Sequence, residues 1–380
     1  MRFIHFGCWN EFGFKMGPSK ENPELEQSGL TYTLDQLNKY VNYNPTDFIV
    51  IAGDNYYPEK KKKGTLDNHN YNHELFVSGF NALPKTIPKY LIFGNHDIED
   101  QIKLLNPIID SKFPNLSDIT TTQCKLLNLQ QFYTSTKKDF ITFNEILHIQ
   151  YNSTLIIMLD THLFNLFSTS DLDLGCYKYL FDEFKKTNSN GTINQLVDHQ
   201  INSIIELIKS KSNIKNYVFI GHHPIFTCKH KENNGSKKLK SEVHQGLKHL
   251  FSNTELITLL NASSITYLCA DLHLYQFGII NLGPLTIKQY VVGTGGAHQD
   301  MYDFNGSYNV QFKDIDGISG FNYQVIENYN KLYGFLVVDI DTVGLIDIIS
   351  YKFNGIDTSL KLEGGFINNR NNIEYININF

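Results

Sequence analysis

The feature that most constrains this chain is a series of short apolar runs that keep ending on the same kinds of residue. Phe3–Phe6, Phe48–Ala52, Tyr90–Phe93, Leu155–Leu159, Tyr217–Ile220, Ile265–Cys269, Tyr290–Val292 and Phe335–Ile340 are strand-sized and rich in β-branched and aromatic residues. Continuous apolar runs of that length suit strands covered on both faces. Helical spacing appears between them. Leu30–Tyr43 sets Leu34, Leu37, Tyr40 and Val41 on one face, and Leu196–Ser210 does the same with Leu196, Ile201, Ile204, Ile205 and Ile208. Strand and helix in alternation predict an α/β fold whose crossovers are right-handed. Two segments break the rhythm. Residues 98–150 are polar and rich in Asn, Thr and Lys, which predicts an insertion with some helix. The Asn-rich stretch 351–380 predicts an edge hairpin and a tail. The chain shows no internal repeat and no clean linker, so 1–350 reads as one decorated domain.

Composition narrows the function classes. An apolar fraction of 41% excludes a disordered chain. A net charge of −6 argues against broad nucleic-acid binding. No stretch reaches the roughly 20 apolar residues of a membrane span. The cysteines, Cys8, Cys124, Cys176, Cys228 and Cys269, form no C-x-x-C pair, which reads as reduced thiols. The apolar start at Met1–Phe6 is too short for a secretory leader. Together these predict a cytoplasmic or otherwise intracellular protein.

The chemical signal lies in the residues just after the apolar runs. Phe3–Phe6 leads into Gly7-Cys8-Trp9-Asn10, Phe48–Ala52 into Gly53-Asp54-Asn55-Tyr56-Tyr57, and Tyr90–Phe93 into Gly94-Asn95-His96-Asp97. Tyr217–Ile220 leads into Gly221-His222-His223-Pro224, and Ile265–Cys269 into Ala270-Asp271-Leu272-His273. The carboxyl ends of parallel strands open on one crevice, so five loops would bring these side chains together. Each motif alone is more often a turn or a capped loop. Their shared placement is the feature that points to a site. Carboxylate, imidazole, amide and phenol donors suit first-row metal ions rather than a closed zinc–thiolate structural site. One carboxylate can bridge two ions held about 3.5–4 Å apart, a geometry that serves displacement at phosphorus.

Read together, Gly53-Asp54-Asn55-Tyr56-Tyr57, Gly94-Asn95-His96-Asp97, Gly221-His222-His223-Pro224 and Asp271-Leu272-His273 resemble the calcineurin-like metallophosphoesterases, and within them the purple acid phosphatase branch. Leu155–Thr161, Val291–Gly296 and Tyr333-Gly334-Phe335 add weaker matches. The resemblance implies a four-layer α/β/β/α sandwich of two mixed sheets flanked by helices. It implies two metal ions, iron with zinc, manganese or a second iron. Asp54 matches the bridging carboxylate, Tyr57 the tyrosine that binds ferric iron, and His273 an imidazole of that first position. Asn95 and His222 match ligands of the second, divalent position. His96 matches a residue beside the leaving group, with Asp97 orienting it. His230, in the loop after Pro224, falls where this branch often holds a second substrate histidine.

Two positions depart from the family. Cys8 stands where the family has Asp, and Asp271 where it has a second-position His. Asn10 lies where wider relatives place a ligand His, so its amide oxygen is a candidate ligand. The implied activity is phosphomonoester hydrolysis, with water activated between the ions, on a phosphorylated small molecule or phosphoprotein. The altered residues leave a weakened pseudophosphatase scaffold as the alternative. A phosphodiesterase or nucleotide-cleaving hydrolase is a further one. Lys60–Lys63 reads as a solvated loop before it reads as a phosphate-attracting rim.

Overall fold

The computed structural model describes residues 1–10, 29–57, 59–60, 69–70, 73–98, 102–103, 130, 134–135, 137–142, 146–167, 177–233, 236–297, 308–311, 322–329, 332–353, 362–367 and 373–378. Two eight-stranded sheets dominate them. In the first, Arg2–Phe6, Phe48–Ala52, Lys89–Ile92 and Phe140–Thr142 run parallel. Tyr333–Ile340 adds antiparallel to Arg2–Phe6, and Ile346–Phe353, Leu362–Ile367 and Ile373–Ile378 extend that edge. In the second, Thr154–Met158, Asn216–Ile220, Ser264–Cys269 and Leu285–Val292 form the parallel centre. Leu147–Tyr151 pairs antiparallel on one side, and Tyr275–Leu282, Asn322–Tyr329 and Tyr308–Gln311 follow on the other.

Period-two burial explains the layers. Phe3, Phe48, Val50 and Ile92 face Ile156, Met158, Val218, Ile220 and Leu268 in a core between the sheets. Their neighbours Ile4, Phe6, Ile49, Ile51 and Leu91 turn to the other face and pack on the helix Gly29–Tyr43. Leu155, Ile157, Tyr217 and Phe219 pack on the helices Ile193–Lys209, Gln245–Phe251 and Thr254–Leu260. Both faces of each central strand are therefore covered, which is why the sequence shows unbroken apolar runs. The expected layering of two mixed sheets flanked by helices is the observed one.

The expected strands are present, with two instructive differences. Tyr290–Val292 is only the end of Leu285–Val292, whose Thr286 and Lys288 interrupt the apolar signal. The end of the expected insertion is strand: Phe140–Thr142 and Leu147–Tyr151 close the edges of the two sheets. Most of 98–150, and Lys61–Lys63, lie outside the described residues.

One buried polar network ties the fold to the chain after His222. The Gln289 side chain accepts the N–H groups of Ile225 (2.8 Å) and Phe226 (3.2 Å) and donates to the Phe226 carbonyl (2.8 Å). It also donates to the Tyr323 hydroxyl, which in turn donates to Gln276. A buried amide left without its partner costs about 1–3 kcal/mol. Gln289→Leu strands two such donors, so it is expected to lower unfolding stability by about 2–4 kcal/mol, as read from the urea midpoint. A midpoint equal to the parent would show that the network is not needed.

Candidate metal centre

Five strand-to-loop junctions meet at one end of the two sheets, and their main chains are laced together. Cys8 N–H donates to Gly53 O (3.0 Å) and Trp9 N–H to Asp54 O (3.2 Å). Gly7 N–H donates to Val292 O (3.1 Å), and Ala270 N–H to His222 O (2.8 Å). The backbone is strained here. Among the described residues seven non-glycine residues have positive φ, and four of them are Cys8 (51°), Asn10 (42°), Asp54 (52°) and Asp271 (59°). Each such residue costs on the order of 1–2 kcal/mol, and strain of this kind concentrates at functional sites. Gly53, at φ 83°, is needed for a second reason: a Cβ there would lie 2.5 Å from His222 Nδ1.

Asp54 is the hub, and it is fully buried. Its two oxygens face two different sets of donors. Around Oδ2 stand the Tyr57 hydroxyl, which donates at 2.7 Å, and the Cys8 thiol, at 3.9 Å. His273 Nε2 lies 2.9 Å from the same Tyr57 hydroxyl. Around Oδ1 stand His222 Nε2 at 3.3 Å and the His96 backbone N–H at 3.1 Å. His222 Nε2 is also 3.1 Å from Asn95 Oδ1 and 3.7 Å from Asp271 Oδ1. Ligand atoms of Cys8, Asp54 and His222 all lie within 4.8 Å of one another, as do those of His222, His223 and Asp271.

The electrostatics fit a cation. Burial alone would raise the Asp54 carboxyl, but the charge and hydrogen bond of His222 hold it below the usual range. Burial would lower His222, yet Asp54 and then Asp271 raise it to about 9. Without an ion, the cluster draws a proton onto the imidazole to balance its carboxylates. The His222 ring is already oriented for a metal. Its Nδ1–H donates to the Ala52 carbonyl at 2.7 Å, which leaves Nε2 facing the cluster. Burial, with Asp54 and Asp271 nearby, keeps the Cys8 thiol protonated until a cation arrives. The donor set therefore fits metal cations, whichever ions they are. Cys8, Asp54, Tyr57 and His222 form a buried floor, while Asn95, His96, Asp271 and His273 are half-buried at the rim.

Three candidates stand elsewhere. The Asp97 carboxylate receives Asn55 N–H (2.9 Å), Asn55 Nδ2 (3.0 Å), Gly94 N–H (2.7 Å) and Gln130 Nε2 (2.7 Å). It braces the Asp54 loop against the Asn95 loop. Burial, then Asp54, raises it to about 7. The Asn10 carboxamide packs on Gly79 of the helix His73–Ala82, where there is no side chain in its way. His230 sits in a hairpin, Phe226–Asn233 with Ser236–Val243, rather than in the expected loop, and is paired with Leu239. Its side chain lies outside the described residues.

Sequence reasoning gave no role to Asn55, Gln130 or Thr161. Asn55 accepts from Trp9 Nε1 (3.2 Å) and donates to Ile92 O (2.8 Å), locking two loops to one strand. Thr161 Oγ1 accepts the backbone N–H groups of His222 (3.1 Å) and His223 (3.0 Å), and lies 2.9 Å from His223 Nδ1. Also unforeseen is a group of rings, the buried His223 with the half-buried His162 and His244, with neighbouring centroids 5.8 and 5.3 Å apart. Burial is the main cause that lowers all three: His162 falls to about 3, His244 to about 4, and His223 well below its ordinary value. His223 nonetheless has a ring nitrogen within 4.8 Å of donor atoms of His222 and Asp271.

The sequence matches the calcineurin-like phosphoesterase family over residues 1–275. No curated protein matches it. Among solved structures it is similar to a purple acid phosphatase from yellow lupin (Lupinus luteus) seeds, with a TM-score of 0.47, 13% identity, and coverage of 94% of this chain and 52% of that one. It is similar to GAP50, the anchor in the inner membrane complex of Plasmodium, with a TM-score of 0.45, 13% identity, and coverage of 100% and 89%. It is also similar to PhoD, with a TM-score of 0.41, 13% identity, and coverage of 92% and 71%. The chain spans about half the length of the lupin phosphatase.

Thr161 provides a test of this arrangement that leaves every candidate ligand in place. Thr161→Val keeps the shape but removes the acceptor of two buried N–H groups. Stability is expected to fall by about 1–3 kcal/mol, and metal retention after dialysis by about 10–100-fold. Retention unchanged from the parent would show that Thr161 does not hold His222 in place.

Proposed function

The chain belongs to the calcineurin-like phosphoesterases, a family of metal-dependent phosphoester hydrolases, and from that premise we propose that it is a phosphomonoesterase working through two metal ions. The observation that carries the reading is the division of donors between the two oxygens of Asp54. On this reading Asp54 would help to hold both ions. Cys8, Tyr57 and His273 serve the position beside Oδ2, and Asn95, His222 and Asp271 the one beside Oδ1. Ions held there supply Lewis acidity and lower the pKa of bound water toward neutrality.

The chain's own groups do the rest. The Ala52 carbonyl fixes the His222 tautomer. The backbone of His96 anchors its loop to Asp54 Oδ1, and its ring rests against Tyr57, with centroids 4.8 Å apart. That leaves the half-buried imidazole at the rim, where an ester oxygen would depart and need a proton. Asp97 keeps the Asp54 and Asn95 loops in register. The phosphate would enter over Asn95, His96, Asp271 and His273. Substrates that suit this opening are phosphorylated small molecules or phosphoprotein side chains. No described helix is long and apolar enough to cross a membrane.

Metal-loaded protein is expected to hydrolyse p-nitrophenyl phosphate, and Asp54→Asn to lower kcat/KM by at least about a hundredfold. His96→Asn is expected to slow alkyl phosphates, whose leaving oxygens need the proton, by about 10²–10⁴ and to slow the aryl ester far less. A parent protein no faster than Asp54→Asn would favour the scaffold reading. Faster turnover of bis-p-nitrophenyl phosphate would favour a phosphodiesterase.

A further inference from the structure

The two halves of the cluster differ in chemical softness. Beside Asp54 Oδ2 stands a sulfur, Cys8 Sγ at 3.9 Å, with the Tyr57 oxygen and, next to it, the His273 nitrogen. The Cys8 sulfur also lies within 4.8 Å of a His222 ring nitrogen, but its contact with Asp54 is through Oδ2. The donors beside Oδ1 are one imidazole, His222, and the oxygens of Asn95 and Asp271. The sulfur itself is shut away from water. Cys8 is fully buried among Ala52, Tyr57, Ala270 and Ala297, whereas Asn95 and Asp271 reach the rim. Thiolate selects zinc and other thiophilic ions, while carboxylate and amide oxygens suit manganese and magnesium.

Resting on the metal-centre reading above, we propose that Cys8 makes the centre a sorted pair: a thiophilic divalent ion of the zinc class bound through the Cys8 thiolate beside Oδ2, and a harder divalent ion of the manganese class beside Oδ1. Both chain-specific substitutions act in the same direction. Cys8 replaces a hard oxygen donor with a soft one in the first position. Asp271 replaces a borderline nitrogen with a hard oxygen in the second. Binding breaks the Cys8 S–H bond, forms the sulfur–metal bond and releases the proton to solvent. The choice of ion thus lies in two side chains of one cluster, Cys8 beside Asp54 Oδ2 and Asp271 beside His222 Nε2. A ferric ion in the first position, as the family resemblance alone implies, would sit against a reducing thiolate.

The test uses the full chain, stripped by chelation and reloaded with zinc and manganese together. X-ray absorption at the zinc edge is expected to show a sulfur neighbour at about 2.3 Å, and the manganese edge only oxygen and nitrogen. Cys8→Asp is expected to lose the zinc–sulfur signal and to lower the zinc-to-manganese ratio at least about tenfold, as measured by elemental analysis. The parent spectrum is decisive even if that variant folds poorly. Zinc bound with no sulfur neighbour, or a signal that survives in Cys8→Asp, overturns the sorted pair and leaves the metal centre standing. Retention of neither metal by the parent, or equal retention by Asp54→Asn, overturns the metal centre itself.

Discussion

A single desolvated carboxylate organises this protein. Asp54 is buried where the two sheets meet at the ends of their parallel strands. A carboxylate taken out of water is costly unless charge or hydrogen bonds answer it. Here Tyr57, the His96 N–H and His222 all answer it, and each arrives from a different part of the sequence. The surrounding structure reflects that need. Gly53 must be glycine so that His222 can come close, and a Cβ on Gly94 would strike Asp54 Oδ1. Asp97 must be buried, and it is held by four donors, so that the Asp54 and Asn95 loops cannot drift apart. The strained backbone at Cys8, Asp54 and Asp271 is the local cost of aiming these side chains at one point.

Much of the fold was legible because the central strands are covered on both faces. Phe48–Ala52 alternates between two cores, so every residue in it is apolar and the run stands out. Strands of the outer sheet regions were harder to see. Asn322–Tyr329 alternates between buried residues such as Tyr323 and Val325 and more exposed ones such as Gln324. Its half-polar pattern does not announce a strand beside the loops that flank it. The site was legible for a related reason: Cys8, Asp54, Asn95, His222 and Asp271 each come within a few residues of a strand's end, and parallel strands end together. Thr161 and Gln130 were not legible as contributors. Each works through a hydrogen bond to a distant loop, and nothing in its own neighbourhood signals that partner. The hairpin that carries His230 was not legible because the chain after Pro224 is rich in Lys and polar residues, which reads as a loop, whereas cross-strand pairing makes it two strands.

The departures at Cys8 and Asp271 gain meaning only in three dimensions. In sequence they look like two losses from a motif. In the structure they belong to one cluster: Cys8 Sγ is 3.9 Å from Asp54 Oδ2, and Asp271 Oδ1 is 3.7 Å from the His222 Nε2 that faces Asp54 Oδ1. Each carries an atom of a type that can bind a metal, and the Ala52 carbonyl orients the His222 ring between them.

The most direct measurement is anomalous diffraction from crystals of the metal-loaded chain. The expected result is two peaks about 3.5–4 Å apart, each within bonding distance of a different oxygen of Asp54. A single peak, two peaks on the same oxygen, or no metal touching Asp54 would contradict the bridging role on which the proposed phosphate chemistry rests.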